Sequence, residues 1–294
     1  MATLKDLQSQ IQSVRNTART TNALQTVSGV KFRKAEARVH HSRPYAENMQ
    51  QMMRDIAGKA KDSKNPLLAG REQVNTVAIA TMTADRGLAG GFNSQLLRRT
   101  VRFRQEQDHD LMQIAMGRKG VTFFQFRRIK LEETFTGISD SPQYHHSQEI
   151  GRRLTGLFED EEADEVYLIY NRFGSAMVQE PVVTRLLPAA PDENEEEEDQ
   201  GQSYSGGDNN PFEYIPGVDE ILTDLIPKYV ETVIWQALLE SAAGEHGARM
   251  TAMKSATDNA NEMADNLTQQ MNKARQAQIT QEILEIAAGA EALG

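Results

Sequence analysis

The residues best placed to do chemistry lie in Thr83-Ala84-Asp85-Arg86-Gly87-Leu88-Ala89-Gly90-Gly91-Phe92-Asn93, a glycine-rich turn after a run of strand type and before a helical stretch. In α/β proteins such turns cradle phosphates, because free backbone N–H groups and a helix N-terminus face the ligand. This turn lacks the rest of the apparatus. It matches neither G-x-G-x-x-G nor G-x-x-x-x-G-K-[ST], with no lysine after its glycines and no hydroxyl placed for magnesium. Its residues read as a tight structural turn presenting Asp85 and Arg86 at the surface. The six histidines supply no ligand set. His40-His41 and His145-His146 are adjacent pairs, which point about 100° apart on a helix, and His246 stands beside Glu245. No Ser/His/Asp or paired-carboxylate arrangement is legible, so the chain reads as a non-enzyme with no catalytic residue, metal ligand or cofactor assigned.

The elements around this turn change period along the chain. From Leu4 to about Lys64 apolar or small residues recur at three-and-four spacing: Leu4, Leu7, Ile11, Val14, Ala18 and Thr21 form a heptad seam that then drifts to Leu24, Val27 and Val30. One long helix is expected there, bent near Pro44. After Pro216 and Gly217 the chain again reads as helix to about Ala290, broken only by Pro227 near its start. In it Gly244, Ala248, Ala252, Ala256, Ala260 and Ala264 fall at four-residue intervals, a stripe of small side chains suited to close approach of a helical neighbour. Between the helices, Val74–Met82, Leu111–Met116 and Val166–Tyr170 are strand-like runs separated by helical stretches at 92–106 and 144–160. Ile129–Thr136 and Pro181–Leu187 read as further strands. Strand, helix, strand predicts a parallel α/β layer.

The expected organisation is therefore a shaft helix over 1–64, a Rossmann-like α/β domain over 70–190, an acidic flexible loop over 191–212, and a second shaft helix over 217–294. The two long helices form an antiparallel coiled coil from which the domain is inserted. Charge supports the pairing. Residues 1–64 hold 12 Lys/Arg against 5 Asp/Glu, and residues 217–294 hold 5 against 12, so the two ends attract if laid side by side. The basic end lacks interleaved aromatic side chains, which argues against nucleic acid as partner. Asp192–Asp199 carries seven negative charges in eight residues, with Gln, Gly, Ser, Asp and Asn after it, the composition of a loop without a core. The chain has no cysteine and no apolar run of the roughly 20 residues a membrane span needs, and its first residues lack an apolar leader. An intracellular protein without a transmembrane segment is expected.

Three separated stretches resemble one family, the gamma subunits of rotary ATP synthases. The first is Thr3-Leu4-Lys5-Asp6-Leu7 with T-N-A-L-Q-T-V-S-G-V-K-F-R-K-A from Thr21. The second is D-R-G-L-A-G-G-F-N from Asp85, and the third E-S-A-A-G-E-H-G-A-R-M-T-A-M-K-S-A-T-D-N-A from Glu240, continued by N-K-A-R-Q-A-Q-I-T-Q-E from Asn272. The resemblance implies a rotor shaft inside a ring of alternating catalytic and non-catalytic nucleotide-binding subunits. It also implies an epsilon subunit and a membrane c-ring as partners, at the cytoplasmic face of the energy-coupling membrane. It implies partner contacts at Leu24 and Lys31 in the first helix and at Asp85 and Arg86 in the turn. Arg275, Gln276 and Thr280 in the last helix would form the catch for an acidic loop of the catalytic subunit. Gln276 and Thr280 are an i, i+4 pair, and Ile279 and Ile283 beside them form an apolar stripe for the other helix or the surrounding sleeve. Departures occur at Leu24 and Thr26, where the family has methionines, at Ala89 and Gly244, and at Ile215, where a glutamate is usual near the rotor-ring contact Tyr214.

Two other readings are open on the residues alone. A static coiled-coil scaffold carrying an α/β binding module would purify without a hexameric ATPase. A nucleotide-binding enzyme built on residues 70–190 would bind nucleotide as the isolated chain.

Overall fold

The computed structural model describes residues 3–59, 65–71, 73–189 and 217–291. Tyr214 and the acidic stretch expected over 191–212 lie outside the described residues. Helix α1 spans Leu4–Lys59 and helix α5 spans Val218–Glu291. At 1.5 Å per residue they are about 84 and 110 Å long. Both run through a proline. Pro227, expected to break the second helix, lies inside α5 and Pro44 inside α1. A proline near a helix start, or one held by surrounding packing, forfeits one hydrogen bond without ending the helix.

Between them lie β1 (Thr76–Met82), α2 (Phe92–Gln105), β2 (Asp110–Met116), α3 (Arg118–Phe126), β3 (Glu133–Phe135), α4 (Tyr144–Glu159), β4 (Glu165–Phe173) and β5 (Gln179–Leu187). The strands form one sheet in the order β3-β2-β1-β4-β5, parallel except for the β4–β5 hairpin. This is the expected α/β layer, with α3 as an unforeseen element. Its nine residues include Val121, Thr122 and three phenylalanines, a composition closer to a strand than to a helix. Val77, Ile79 and Ile169 bury one sheet face against Leu96 and Phe103 of α2. The other face carries Ala78, Ala80, Ile114, Val166 and Leu168, packed against Ile150, Leu154 and Phe158 of α4 and Leu222, Ile226, Val230 and Ile234 of α5. The start of α5 is thus a layer of the α/β domain as well as a part of the shaft.

Helices α1 and α5 run antiparallel. Thr21 Oγ1 lies 2.7 Å from Thr257 Oγ1, and nearer the domain Gly29 faces Met250 and Phe32 faces Gly247. Leu7, Ile11 and Ala18 are buried in the seam as their spacing predicts. The predicted drift is wrong: Val27 and Val30 are 55% and 56% exposed, and the seam continues instead through Ser28, Gly29, Phe32 and Val39. Phe32 decides the rotation. Its ring packs 5.9 Å from that of Phe173 and against Leu239 and Ala243, which turns the two valines outward. The charge difference between the helices is seldom spent on direct pairs, since across the seam Arg43 and Glu240 approach only to 3.9 Å.

The small-residue stripe of α5 also divides. Ala260 and Ala264 are buried in the shaft, as expected for a stripe facing a helix. Gly244 and Ala248 instead face the domain, against Gln179 and Phe92 and in the cluster of Ala84, Ala89 and Phe92. A stripe at four-residue spacing rotates about the helix because 3.6 residues make a turn, so it meets two neighbours in succession.

Candidate functional site

In a doubly wound sheet, ligands bind beyond the carboxyl ends of the strands where the strand order reverses. Here that point lies between β1 and β4, and the glycine-rich turn leaves β1 directly into it. The turn is tied to the next helix N-terminus, that of α3, whose donors are engaged within the chain. At the N-terminus of α3, Arg118 N donates to Asp85 Oδ1 at 3.1 Å, Lys119 N to the Ala84 carbonyl at 3.1 Å, and Gly120 N to Thr83 Oγ1 at 2.8 Å. Gly117, at φ 86°, has no room for a side chain, since a Cβ there would fall 2.1 Å from the Thr83 carbonyl oxygen. At the N-terminus of α3 the chain's own carboxylate and hydroxyl occupy the place an anion would take.

Asp85 therefore departs from its expected presentation at the surface. Its carboxylate also accepts from Gly137 N at 2.9 Å and Ser139 N at 3.1 Å, and its side chain is only 7% exposed. Burial alone would raise its pKa, but the N–H groups of Gly137, Ser139 and Arg118 outweigh it and hold the carboxyl below its usual value. Arg86, next in sequence, is exposed as expected. The two neighbours part because one knits the turn to the loop after β3 and the other leaves it.

The shaft packs against the strand ends beside this turn. Glu240 Oε2 accepts from the backbone N of Phe173, at the end of β4, at 3.0 Å, and Gln236 Nε2 donates to its other oxygen at 2.8 Å. One turn further on, Glu245 is buried and paired with Arg249, whose Nε also donates to the Gly87 carbonyl at 3.1 Å. His246 Nε2 lies 3.2 Å from the Asp140 carbonyl oxygen and its Nδ1 3.4 Å from Arg249 Nη1, so the network assigns its proton to Nε2. Burial lowers the His246 pKa, with Glu245 acting in the opposite sense. Lys31 of α1 completes the joint through Asp140 at 2.6 Å. Its ammonium is thus engaged within the chain. Close contact is possible because Gly247 has no side chain: a Cβ there would lie 2.9 Å from Ala176 Cα. None of Glu240, Glu245, Arg249 and Asp140 was singled out by its chemistry in the sequence. The E-x-x-x-R spacing of Glu245 and Arg249 was the one available signal.

The other predicted residues stand apart from this joint. Leu24 is half-buried at the seam. Arg275, Gln276 and Thr280 are all exposed, and the Thr280 hydroxyl returns to the Gln276 carbonyl at 2.9 Å. The pairing of Thr21 with Thr257 sets Leu4 opposite about residue 274, so α5 beyond that point outruns α1. Among the described residues Ile279 and Ile283 consequently face no other helix, which removes one of the two roles expected for them. With Leu284 and Ile286 they are exposed. The structure thus separates the candidate residues into three places: Arg86 at the turn, Leu24 and Lys31 on α1, and Arg275, Gln276 and Thr280 on the single-helix end.

Known proteins share this sequence and shape over their whole length. A family model described as ATP synthase matches residues 3–293. The ATP synthase gamma chain of Rubrobacter xylanophilus is 67% identical over 293 residues, covering 100% of this chain and 99% of that one. That of Pelotomaculum thermopropionicum is 43% identical over 295 residues, with both chains covered completely. Among solved structures, a chain of the Euglena gracilis mitochondrial ATP synthase superposes with a TM-score of 0.65 at 15% identity, over 99% of this chain and 94% of that one. A chain from the central stalk and c-ring of the Tetrahymena thermophila enzyme gives 0.60 at 20% identity, over 81% and 99%. The two long helices, the five-stranded sheet they carry and this end-to-end match all lead to the same place: the chain belongs to the ATP synthase gamma chain family.

Proposed function

We propose that this chain is the central rotor stalk of a rotary ATP synthase, and that it performs no chemistry of its own. The observation that carries the reading is the continuity of α5. One helix begins inside the core of the α/β domain, is clamped at the crevice by Glu240, Glu245 and Arg249, and ends as a bare single helix. A torque applied to the domain is delivered along it to the tip.

In this reading the tip turns inside a ring of alternating catalytic and non-catalytic nucleotide-binding subunits, while the domain end meets the epsilon subunit and the c-ring. Among the described residues no helix is long and apolar enough to cross a membrane, so the stalk would be peripheral to one, at its cytoplasmic face. The ring's catalytic subunits differ in the free energy of their contacts with each face of the shaft, which is the condition for a partner to shift their populations. Arg275 is the proposed catch, its rigid fork of donors gripping a carboxylate of an acidic loop, with Gln276 and Thr280 beside it. Arg86, Leu24 and Tyr214 are proposed as further contacts. For Lys31, already held by Asp140, the support is weaker than for the exposed residues.

The test is rotation and ATP hydrolysis by the reconstituted complex carrying Arg275→Glu. The fold should be retained while assembly or the catalytic cycle is impaired by repulsion from the acidic loop. Unaltered assembly, hydrolysis and coupling would remove Arg275 from the catch. A chain that purifies without a hexameric ATPase would point to the static scaffold instead.

A further inference from the structure

Where α5 crosses the carboxyl ends of β1 and β2, a small cavity of about 10 Å³ lies between Met82, Ala84 and Met116 on the sheet side and Ser241 and Glu245 on the helix. The last two are 6% and 1% exposed, and each carries a buried oxygen without a hydrogen-bond partner among the described residues, Ser241 Oγ and Glu245 Oε2. Buried polar atoms are satisfied in the great majority of cases, so two orphans on one cavity call for an explanation. The neighbouring polar side chains do not supply it, since none among the described residues lies within hydrogen-bond distance of either oxygen. Thr83 Oγ1 donates to the Met116 carbonyl and accepts from Gly120 N, Ser139 Oγ accepts from Asp85 N, and Glu245 Oε1 is taken by Arg249.

We propose that this cavity binds a single internal water molecule, which donates one hydrogen to Glu245 Oε2 and accepts from the Ser241 hydroxyl. The volume matches the minimum of about 10–15 Å³ that one water requires, and the two ligands meet the minimum of two polar partners. Electrostatics select water over a cation. Arg249 already neutralises the carboxylate, and two oxygens fall short of any cation's coordination shell. Ser241 and Glu245 are an i, i+4 pair on the face of α5 that meets the carboxyl ends of β1 and β2. The water fastens the shaft to the domain there.

The experiment is a density map of the assembled complex at a resolution that shows ordered waters, for the natural chain and for Ser241→Ala. The natural chain should show one peak within about 2.7–3.2 Å of both oxygens. The peak should be lost or weakened in Ser241→Ala, with the path of α5 unchanged. Three results would overturn the site: continuous density without a peak, a direct Ser241–Glu245 hydrogen bond across a closed cavity, or contacts at the shorter distances of a metal ion. Persistence of the peak unchanged in Ser241→Ala would equally overturn it, because the water would then be held by other groups. Should the variant fail to assemble, the natural chain's map alone decides.

Discussion

Between Leu222 and Met253, α5 runs along the domain with most of its side chains withdrawn from solvent, whereas beyond about residue 275 the same helix has no neighbour among the described residues and exposes Ile279, Ile283, Leu284 and Ile286. The buried part is tied by interlocking constraints: Gly247 against Ala176, Glu240 on the Phe173 N–H, and Arg249 on the Gly87 carbonyl. Among the described residues the free part carries intrahelical bonds such as Gln278 to Glu282 and Gln281 to Glu285. One secondary structure thus serves as a core layer at one end and as an unsupported probe at the other. An apolar row left bare on a helix tip is the kind of surface that the proposed ring contact would cover. Under the proposed function, stability and function are segregated along α5. Changes at the joint should act on folding, and changes at the tip should act on the assembled machine.

The comparison would be broken most directly at Arg249. Arg249→Met leaves the buried Glu245 carboxylate without its counter-charge, a change that typically costs about 3–5 kcal/mol. Denaturant unfolding of the full chain should show that loss, and adding Glu245→Gln should restore much of it, because the orphaned charge is then gone. A single variant as stable as the natural chain would show that the joint is not clamped by this pair.

A smaller cost is expected from Gly247→Ala. Its methyl would meet the Ala176 backbone at 2.9 Å and the Phe32 ring at 3.2 Å, so one element must move. Overpacking of this kind costs about 1–3 kcal/mol, which thermal unfolding would register. Gly137, at φ 82° with nothing near its Cβ position, is the control: Gly137→Ala would be strained by its backbone and not by contact.

Acid should loosen the joint through His246. Its folded pKa is lowered from 6.5 by burial, so the folded state binds the proton less readily than the unfolded one. Stability from this group is complete above about pH 6.5 and is lost progressively as the pH falls from there to the lowered value. The groups facing it are Glu245 and Arg249 on α5 and Asp140 from the loop before α4, with Lys31 behind Asp140. Melting temperature should fall over that window, and His246→Gln should flatten the fall. His146, also lowered by burial, gives a slope of the same sign, so the two variants must be compared side by side.

The smallest effect on folding is expected at the tip. Ile283→Ala, at a side chain 60% exposed, should change stability by no more than about 0.5 kcal/mol, while activity or assembly of the complex falls. A loss of stability as large as that of Gly247→Ala would mean that the tip is packed within the chain after all, and the contrast between the two ends would collapse.

Much of the architecture was legible because periodicity and local chemistry are written in neighbouring residues. The strand β1, the helices α2 and α4, and the first turns of the seam at Leu7, Ile11 and Ala18 all follow from spacing. Arg86 and Arg275 were found exposed where motif and pattern placed them. Legibility stopped where two distant segments had to agree. No local rule turns Val27 and Val30 away from the seam, because that rotation depends on Phe32 reaching Phe173, some 140 residues away in the chain. Nor does any local rule distinguish the carboxylate of Asp85 from the guanidinium of Arg86. Their separation depends on Gly137 and Ser139 bringing N–H groups to one of them. Local spacing determines which faces are apolar, since side-chain direction repeats with the backbone. Which neighbour each face meets, and which charge is enclosed, depends on contacts between residues far apart in sequence, and only the tertiary structure decides those.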